Sequence, residues 1–129
     1  MIVGLGTDIV SIERIKSVLD KNGSAFIERI CSGEEKKYLA ATTDIALKAA
    51  KLWAVKEAAA KALGTGFAQG VTMKDIELKH NLQGRPFLEI KGKAQELLQE
   101  LLDNNKGNIQ VSLSDDRPWA QAVVIIEKI

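Results

Sequence analysis

The sequence predicts an α+β fold, and three observations predict it. Helical segments and short β-prone runs are interspersed without the strict strand–helix–strand rhythm of a parallel sheet. The final third carries two apolar runs, Asn108–Ser114 and Trp119–Ile126, joined by Asp115-Asp116-Arg117-Pro118, the pattern of two strands around a turn. The chain has 129 residues, 46% hydrophobic and 27% charged, which suits one soluble domain with a real core. Residues 1–129 are therefore read as one unit, with no internal repeat, low-complexity tract or linker.

Each element has a local reason. Ile2 to Val10 is apolar and β-prone and reads as the first strand. Ser11 suits an N-cap for a helix through Asp20, with Ile12, Ile15, Val18 and Leu19 as the buried stripe and Glu13, Arg14, Lys16 and Lys21 outward. Asn22-Gly23-Ser24 breaks it, and a short helix over Ala25 to Ile30 follows. Ser32-Gly33-Glu34-Glu35 has capping-box spacing and opens a helix through Tyr38 to about Ala41. Thr43 or Asp44 caps a long alanine-rich helix that stops at Leu63 before Gly64. Gly64 to Gly70 is loop-like, and Met73 to Lys79 alternates as a strand. Gln83-Gly84-Arg85-Pro86 turns the chain into a strand over Phe87 to Lys91. Ala94 to Leu102 is an amphipathic helix with leucines at 97, 98, 101 and 102, and Asn104 to Gly107 is a turn. The last strand is apolar on both faces over Ala122–Ile126, so it is central in its sheet or buried against a partner subunit.

Composition narrows the function classes. A net charge of +1 gives no argument for nucleic-acid binding. No apolar run reaches the length of a membrane span, and the start lacks a signal-peptide pattern, so a cytoplasmic protein without a membrane partner is expected. The one cysteine, Cys31, excludes an internal disulfide and reads as a core or surface thiol. The one histidine, His80, reads as a strand or turn residue. Arg14, Lys16, Lys21, Arg29, Lys36 and Lys37 crowd the first third, as either a solvated surface or a face for an acidic partner.

The candidate chemistry lies at two places far apart in sequence. Glu57 and Lys61 are four residues apart and project from one helical face, beside small residues such as Ala50 and Ala54 that admit a ligand or another backbone. Asp8 ends the glycine-broken run Gly4-Leu5-Gly6-Thr7. Asp8 also suits a helix cap, Glu57–Lys61 a helical salt bridge, and Gly64-Thr65-Gly66 a helix end or a backbone approach to phosphate. Two carboxylates and a lysine are also what magnesium-assisted phosphate chemistry requires.

Taken together, the motifs resemble those of the acyl-carrier-protein synthase family of 4′-phosphopantetheinyl transferases. The resemblance rests on Gly4-Leu5-Gly6-Thr7-Asp8-Ile9-Val10 with Ile12 and Arg14, and on Phe26 through Arg29 to Glu35. It continues in Trp53-Ala54-Val55-Lys56-Glu57-Ala58 with Lys61, Gly64 and Gly66, in Gly84-Arg85-Pro86, and in Val111-Ser112-Leu113-Ser114. The five blocks keep their order over essentially the whole chain.

The resemblance implies an antiparallel sheet packed with a long central helix, and a homotrimer with active sites between subunits. It implies transfer of 4′-phosphopantetheine from coenzyme A to a serine of apo-acyl carrier protein, in fatty acid biosynthesis, with release of adenosine 3′,5′-bisphosphate. Asp8 and Glu57 would hold Mg²⁺, and Glu57 and Lys61 would be catalytic, with Glu57 or a metal-bound water as the base. Lys48, Lys51, Lys61, Gly64, Thr65, Gly66, Arg85 and Pro86 would bind coenzyme A. Arg14, Lys21 and Arg29 would dock the acidic carrier. This chain departs from the pattern twice. Asp115 stands where many members have histidine, and Leu47, Lys48 and Lys51 stand where an arginine is common. A small phosphohydrolase or nucleotide-binding enzyme, and a non-catalytic oligomeric binding module, are the competing readings of the same residues.

Overall fold

In the computed structural model, which describes residues 1–129, ten-residue strand β1 (Ile2–Ser11) leads into helices α1 (Ile12–Ile30), α2 (Gly33–Ala40) and α3 (Ile45–Leu63). Strands β2 (Ile76–His80) and β3 (Pro86–Ile90), helix α4 (Gly92–Leu101) and strands β4 (Gly107–Asp116) and β5 (Trp119–Lys128) complete the chain. The class is α+β, as expected. The strands form two antiparallel sheets, one of order β1-β5-β4 and a separate pair β2-β3.

Local capping explains most boundaries. Ser11 Oγ accepts from the Arg14 amide at 3.3 Å, and the Asp44 carboxylate accepts from the Leu47 amide at 3.2 Å. Ser32 and Glu35 close a reciprocal capping box. Gly64 ends α3 in the left-handed conformation at φ 85°, which glycine adopts without a Cβ penalty. The expected break is present: Asn22 leaves helical geometry (φ −157°, ψ 51°), so α1 is two helices meeting at a kink. Two expectations need correction. Met73–Asp75 is a 3₁₀ turn rather than strand, its Thr72 amide bonded to the Asp75 carboxylate at 3.1 Å, so pairing starts at Ile76. Asp115 and Asp116 belong to β4, pairing with Ala120 and Trp119, so the connection is only Arg117-Pro118.

The position of β5 settles its apolar character. It is the central strand, and Ala120, Ala122, Val124 and Ile126 on one face are buried. Val123 and Ile125 on the other face are half-buried, and on that face Leu5 and Ile9 of β1 stay 61% and 59% exposed.

Helix α3 is the centre of the molecule, with eleven of its nineteen residues buried. Alanines at 49, 50, 54, 58, 59, 60 and 62 are among them, so little side-chain volume separates the helix from its neighbours. What approaches is β1. A Cβ on Gly6 would lie 1.8 Å from the Ala58 carbonyl oxygen, and one on Gly4 2.2 Å from that of Ala62. The backbone approach falls at Ala58 and Ala62, one turn or more beyond the Ala50 and Ala54 named from the sequence.

Three charged residues are buried, Glu35, Lys56 and Glu77, and the first two meet in the core. Lys56 Nζ donates to Glu35 Oε1 at 2.8 Å, to the Met73 carbonyl at 2.8 Å, and to the Ile76 carbonyl. Glu35 also accepts from the Ser32 and Leu78 amides, each at 2.9 Å. Burial pushes the Lys56 ammonium below its usual range while the Glu35 charge opposes that shift. Cys31 is a core thiol, pushed up to about 11 by burial and then by the charge of Glu35.

Gly6→Ala should therefore cost about 3 kcal/mol or more, because neither backbone can yield, and lower Tm by roughly 10 °C. Gly33→Ala is the control, since its Cβ would meet nothing. Thermal unfolding of the two variants checks this, and equal Tm values would refute it.

Candidate active site

The chain brings three of the predicted residues together by the β1–α3 contact. Lys61 Nζ donates to Asp8 Oδ1 at 3.1 Å and to the Thr7 carbonyl at 2.9 Å. Its partner is thus the distant aspartate rather than Glu57, so the helical salt bridge is not the role of this pair. Glu57 lies one turn before Lys61. Its carboxyl is raised above the ordinary value first by burial and then by the negative charge of Asp8, with Lys61 and Arg29 acting in the opposite direction. Two carboxylates are close enough to repel, and an ammonium sits on one of them.

A cleft of about 540 Å³ opens beside Glu57. Trp53, Phe67, Val71 and Met73 give it an apolar lining, and Arg29, Thr72 and Lys74 supply polar groups. Trp53 stacks on Phe26 of α1 with ring centroids 5.8 Å apart, which fixes the indole at the cleft. Sequence reasoning reached Arg29 as a surface cation and Trp53 as a motif residue. It missed Phe67 and the 71–74 segment, which loop composition does not distinguish from any other connection.

The residues assigned to coenzyme A fall into separate groups on one chain. Gly64, Thr65 and Gly66 follow Lys61 at the end of α3, where the Gly66 amide bonds back to the Ala60 carbonyl at 3.1 Å. Lys48, Lys51 and Pro86 instead line a second cavity of about 190 Å³ with Tyr38, Leu78 and His80. Lys51 and Lys61 are ten residues apart, or about 15 Å along the helix axis. Lys51 is bound by Asp115 at 2.6 Å, so the aspartate of the first departure neutralises a lysine of the second. Lys48 lies 5.7 Å from the Tyr38 ring centroid. His80 ends β2 beside Tyr38, and burial together with Lys48 and Lys51 holds its imidazole below the usual range. Arg85 is exposed and donates to the Gln110 side chain at 2.8 Å. Arg14, Lys21 and Arg29 are all exposed on α1.

The donor set limits what a metal could be. No three His, Cys, Asp or Glu side chains converge as a metal-ligand cluster. Asp8 and Glu57 supply hard oxygens, and the Lys61 ammonium on Asp8 marks a place where positive charge is stabilised. Two carboxylates fit Mg²⁺, a hard cation that takes oxygen ligands.

Comparison with known proteins gives consistent matches. The family model described as the 4′-phosphopantetheinyl transferase superfamily matches residues 4–123. A holo-[acyl-carrier-protein] synthase of Vibrio cholerae is 45% identical over 128 residues, covering 99% of both chains. The crystal structure of the Neisseria meningitidis holo-[acyl-carrier-protein] synthase superposes with a TM-score of 0.87 at 36% identity, over 99% of this chain and 100% of that one. The Bacillus anthracis enzyme in complex with CoA (3′,5′-ADP) gives 0.80 at 30% identity, over 100% and 99%.

The Lys51–Asp115 pair makes a pH-dependent prediction. Lys51 holds the Asp115 carboxyl below its ordinary value of 3.8, chiefly by their hydrogen bond. A depressed carboxyl contributes stability above its unfolded pKa and loses it as pH falls through the folded one. Asp115→Asn should cost at most about 1 kcal/mol at pH 7, and nothing once the pH is below the carboxylate range. Urea unfolding at both pH values tests this; a difference that persisted in acid would assign it to something other than the ion pair.

Proposed function

This chain belongs to the 4′-phosphopantetheinyl transferase superfamily, and from that premise we propose that it is a holo-acyl-carrier-protein synthase. It transfers 4′-phosphopantetheine from coenzyme A to a serine of apo-acyl carrier protein. The observation that carries this reading is the Lys61–Asp8 contact on the helical face of Glu57, which itself borders an apolar cleft.

The reaction joins the serine oxygen to the phosphorus on the pantetheine side of the pyrophosphate. The bond from that phosphorus to the bridging oxygen breaks, and adenosine 3′,5′-bisphosphate leaves. Asp8 and Glu57 would hold Mg²⁺, which supplies charge neutralisation on the pyrophosphate. Glu57, with its raised carboxyl, is suited to take the serine proton directly or through an ordered water. Lys61 is oriented by the Thr7 carbonyl and Asp8, and serves as a point charge for phosphate oxygens and a proton source for the leaving group. Gly64–Gly66 and Lys61 would meet coenzyme A at one end of α3, and Lys48, Lys51, Arg85 and Pro86 at the other.

That separation supports a site completed between subunits, with the exposed Leu5 and Ile9 and half-buried Val123 and Ile125 covered in a homotrimer. Arg14, Lys21 and Arg29 would steer the acidic carrier towards the cleft, an interaction sensitive to salt.

Incubation with coenzyme A, Mg²⁺ and cognate apo-carrier should add roughly 340 Da to the carrier by mass spectrometry. No gain would sink the reading, and pyrophosphate cleavage without transfer would favour a hydrolase. Asp8→Ala and Glu57→Ala should each reduce turnover by at least about 100-fold while the fold persists; near-normal rates would remove them from the site. Arg14→Glu should raise KM for the carrier about tenfold and leave that for coenzyme A intact, and an unchanged carrier KM would take Arg14 off the docking face. Light scattering should give three times the 14.1 kDa of one chain, and any other mass would refute the trimer.

A further inference from the structure

Lys56 precedes Glu57 in the same helical turn, so their side chains leave α3 about 100° apart. Glu57 reaches the cleft, whereas Lys56 is fully enclosed. Its three acceptors are Glu35 Oε1, the Met73 carbonyl and the Ile76 carbonyl, which together use all three ammonium protons. Both Glu35 oxygens accept, Oε1 from Lys56 and the Ser32 amide and Oε2 from the Leu78 amide, so the cluster leaves no orphaned buried group.

Stability alone is a poor account of this arrangement. A buried ion pair commonly does no better than apolar residues of the same volume. What the pair accomplishes is geometric. The Met73 carbonyl belongs to Val71-Thr72-Met73-Lys74, the segment that lines the cleft together with Trp53 and Glu57. Lys56 ties that segment directly to the helical turn that carries Glu57, and Glu35 ties β2 to the same point through Leu78.

We propose that Lys56 and Glu35 are positioning residues for transfer, holding the 71–74 wall in register with Glu57 so that the cleft fits its substrate. The proposal rests on the reading that this cleft receives substrate in phosphopantetheine transfer. Neither residue touches reacting atoms. Both act through the backbone of the wall.

The two roles separate experimentally. A purely stabilising role would change the fraction of folded protein, which lowers the rate per mole of chain and leaves KM alone. Lys56→Met removes the clamp but strands the Glu35 charge, so it should be strongly destabilised. The double variant Glu35→Leu with Lys56→Met removes both charges and should recover most of the lost Tm, while the Met73 and Ile76 carbonyls remain unclamped. In that double variant, KM for coenzyme A or for the carrier should stay raised about tenfold with kcat within about threefold of wild type. A folded double variant with both KM values at wild type would overturn the proposal, as would a loss confined to kcat. If wild-type protein itself transfers nothing, the functional reading fails instead, so the two failures are distinct. Should Lys56→Met not fold, the double variant decides alone.

Discussion

The close passage of β1 across α3 is the constraint on which the rest of the structure depends. Gly4 and Gly6 lie so near the Ala58 and Ala62 carbonyls that no Cβ fits between them. Interiors are packed to crystal-like density, so a helix with this little side-chain volume is stable only if a neighbouring backbone fills the space. That single approach sets Asp8 over the Glu57–Lys61 turn. It also makes the pairing of β1 with β5 and the burial of Ala120, Ala122, Val124 and Ile126 parts of one packing problem. Site and core share a cause.

The charges on α3 then differ according to where the helix surface leads. Lys56 and Glu57 are neighbours, yet one is wholly enclosed by backbone carbonyls and a carboxylate, and the other borders a cleft beside a second acid. Lys61, exposed at the helix end, turns to Asp8 and the Thr7 carbonyl. Three charged residues within two turns thus do three different things: Lys56 is rotated about 100° from Glu57 and enters the core, while Glu57 and Lys61 share a face and differ in what lies opposite each along the helix. Further back on the same helix, Lys51 is held by Asp115 and Lys48 lies against Tyr38.

Placing β5 in the middle of its sheet leaves the strand's second face only half-covered, with Leu5 and Ile9 beside it. That exposed apolar surface, and the placement of the proposed coenzyme A residues towards both ends of α3, are the two features on which the proposed homotrimer rests.

Much of this was legible in the residues themselves. Caps at Ser11, Ser32, Asp44 and Gly64 mark helix ends by local hydrogen bonding, which depends on neighbours in sequence. Apolar periodicity marked β1, β4, β5 and α4. The family was readable because motif blocks keep residue type and order, and the candidate residues Asp8, Glu57 and Lys61 come from two of those blocks. Other features depended on contacts between distant residues. The capping-box spacing of Glu35 concealed its second role, and Lys56 on a stripe with Leu52, Ala59 and Leu63 was the one signal that a lysine entered the core. The 3₁₀ turn at Met73–Asp75 looks like strand alternation until Lys56 claims its carbonyl. The sequence by itself determined which residues could carry chemistry and where helices begin and end, because those follow from side-chain type and short-range bonding. The tertiary structure alone decided that Lys61 pairs with Asp8 rather than Glu57, that the alanine face receives a backbone, and that Lys51 is neutralised by Asp115. Each of those outcomes is a contact across dozens of residues, fixed by packing distance rather than by spacing along the chain.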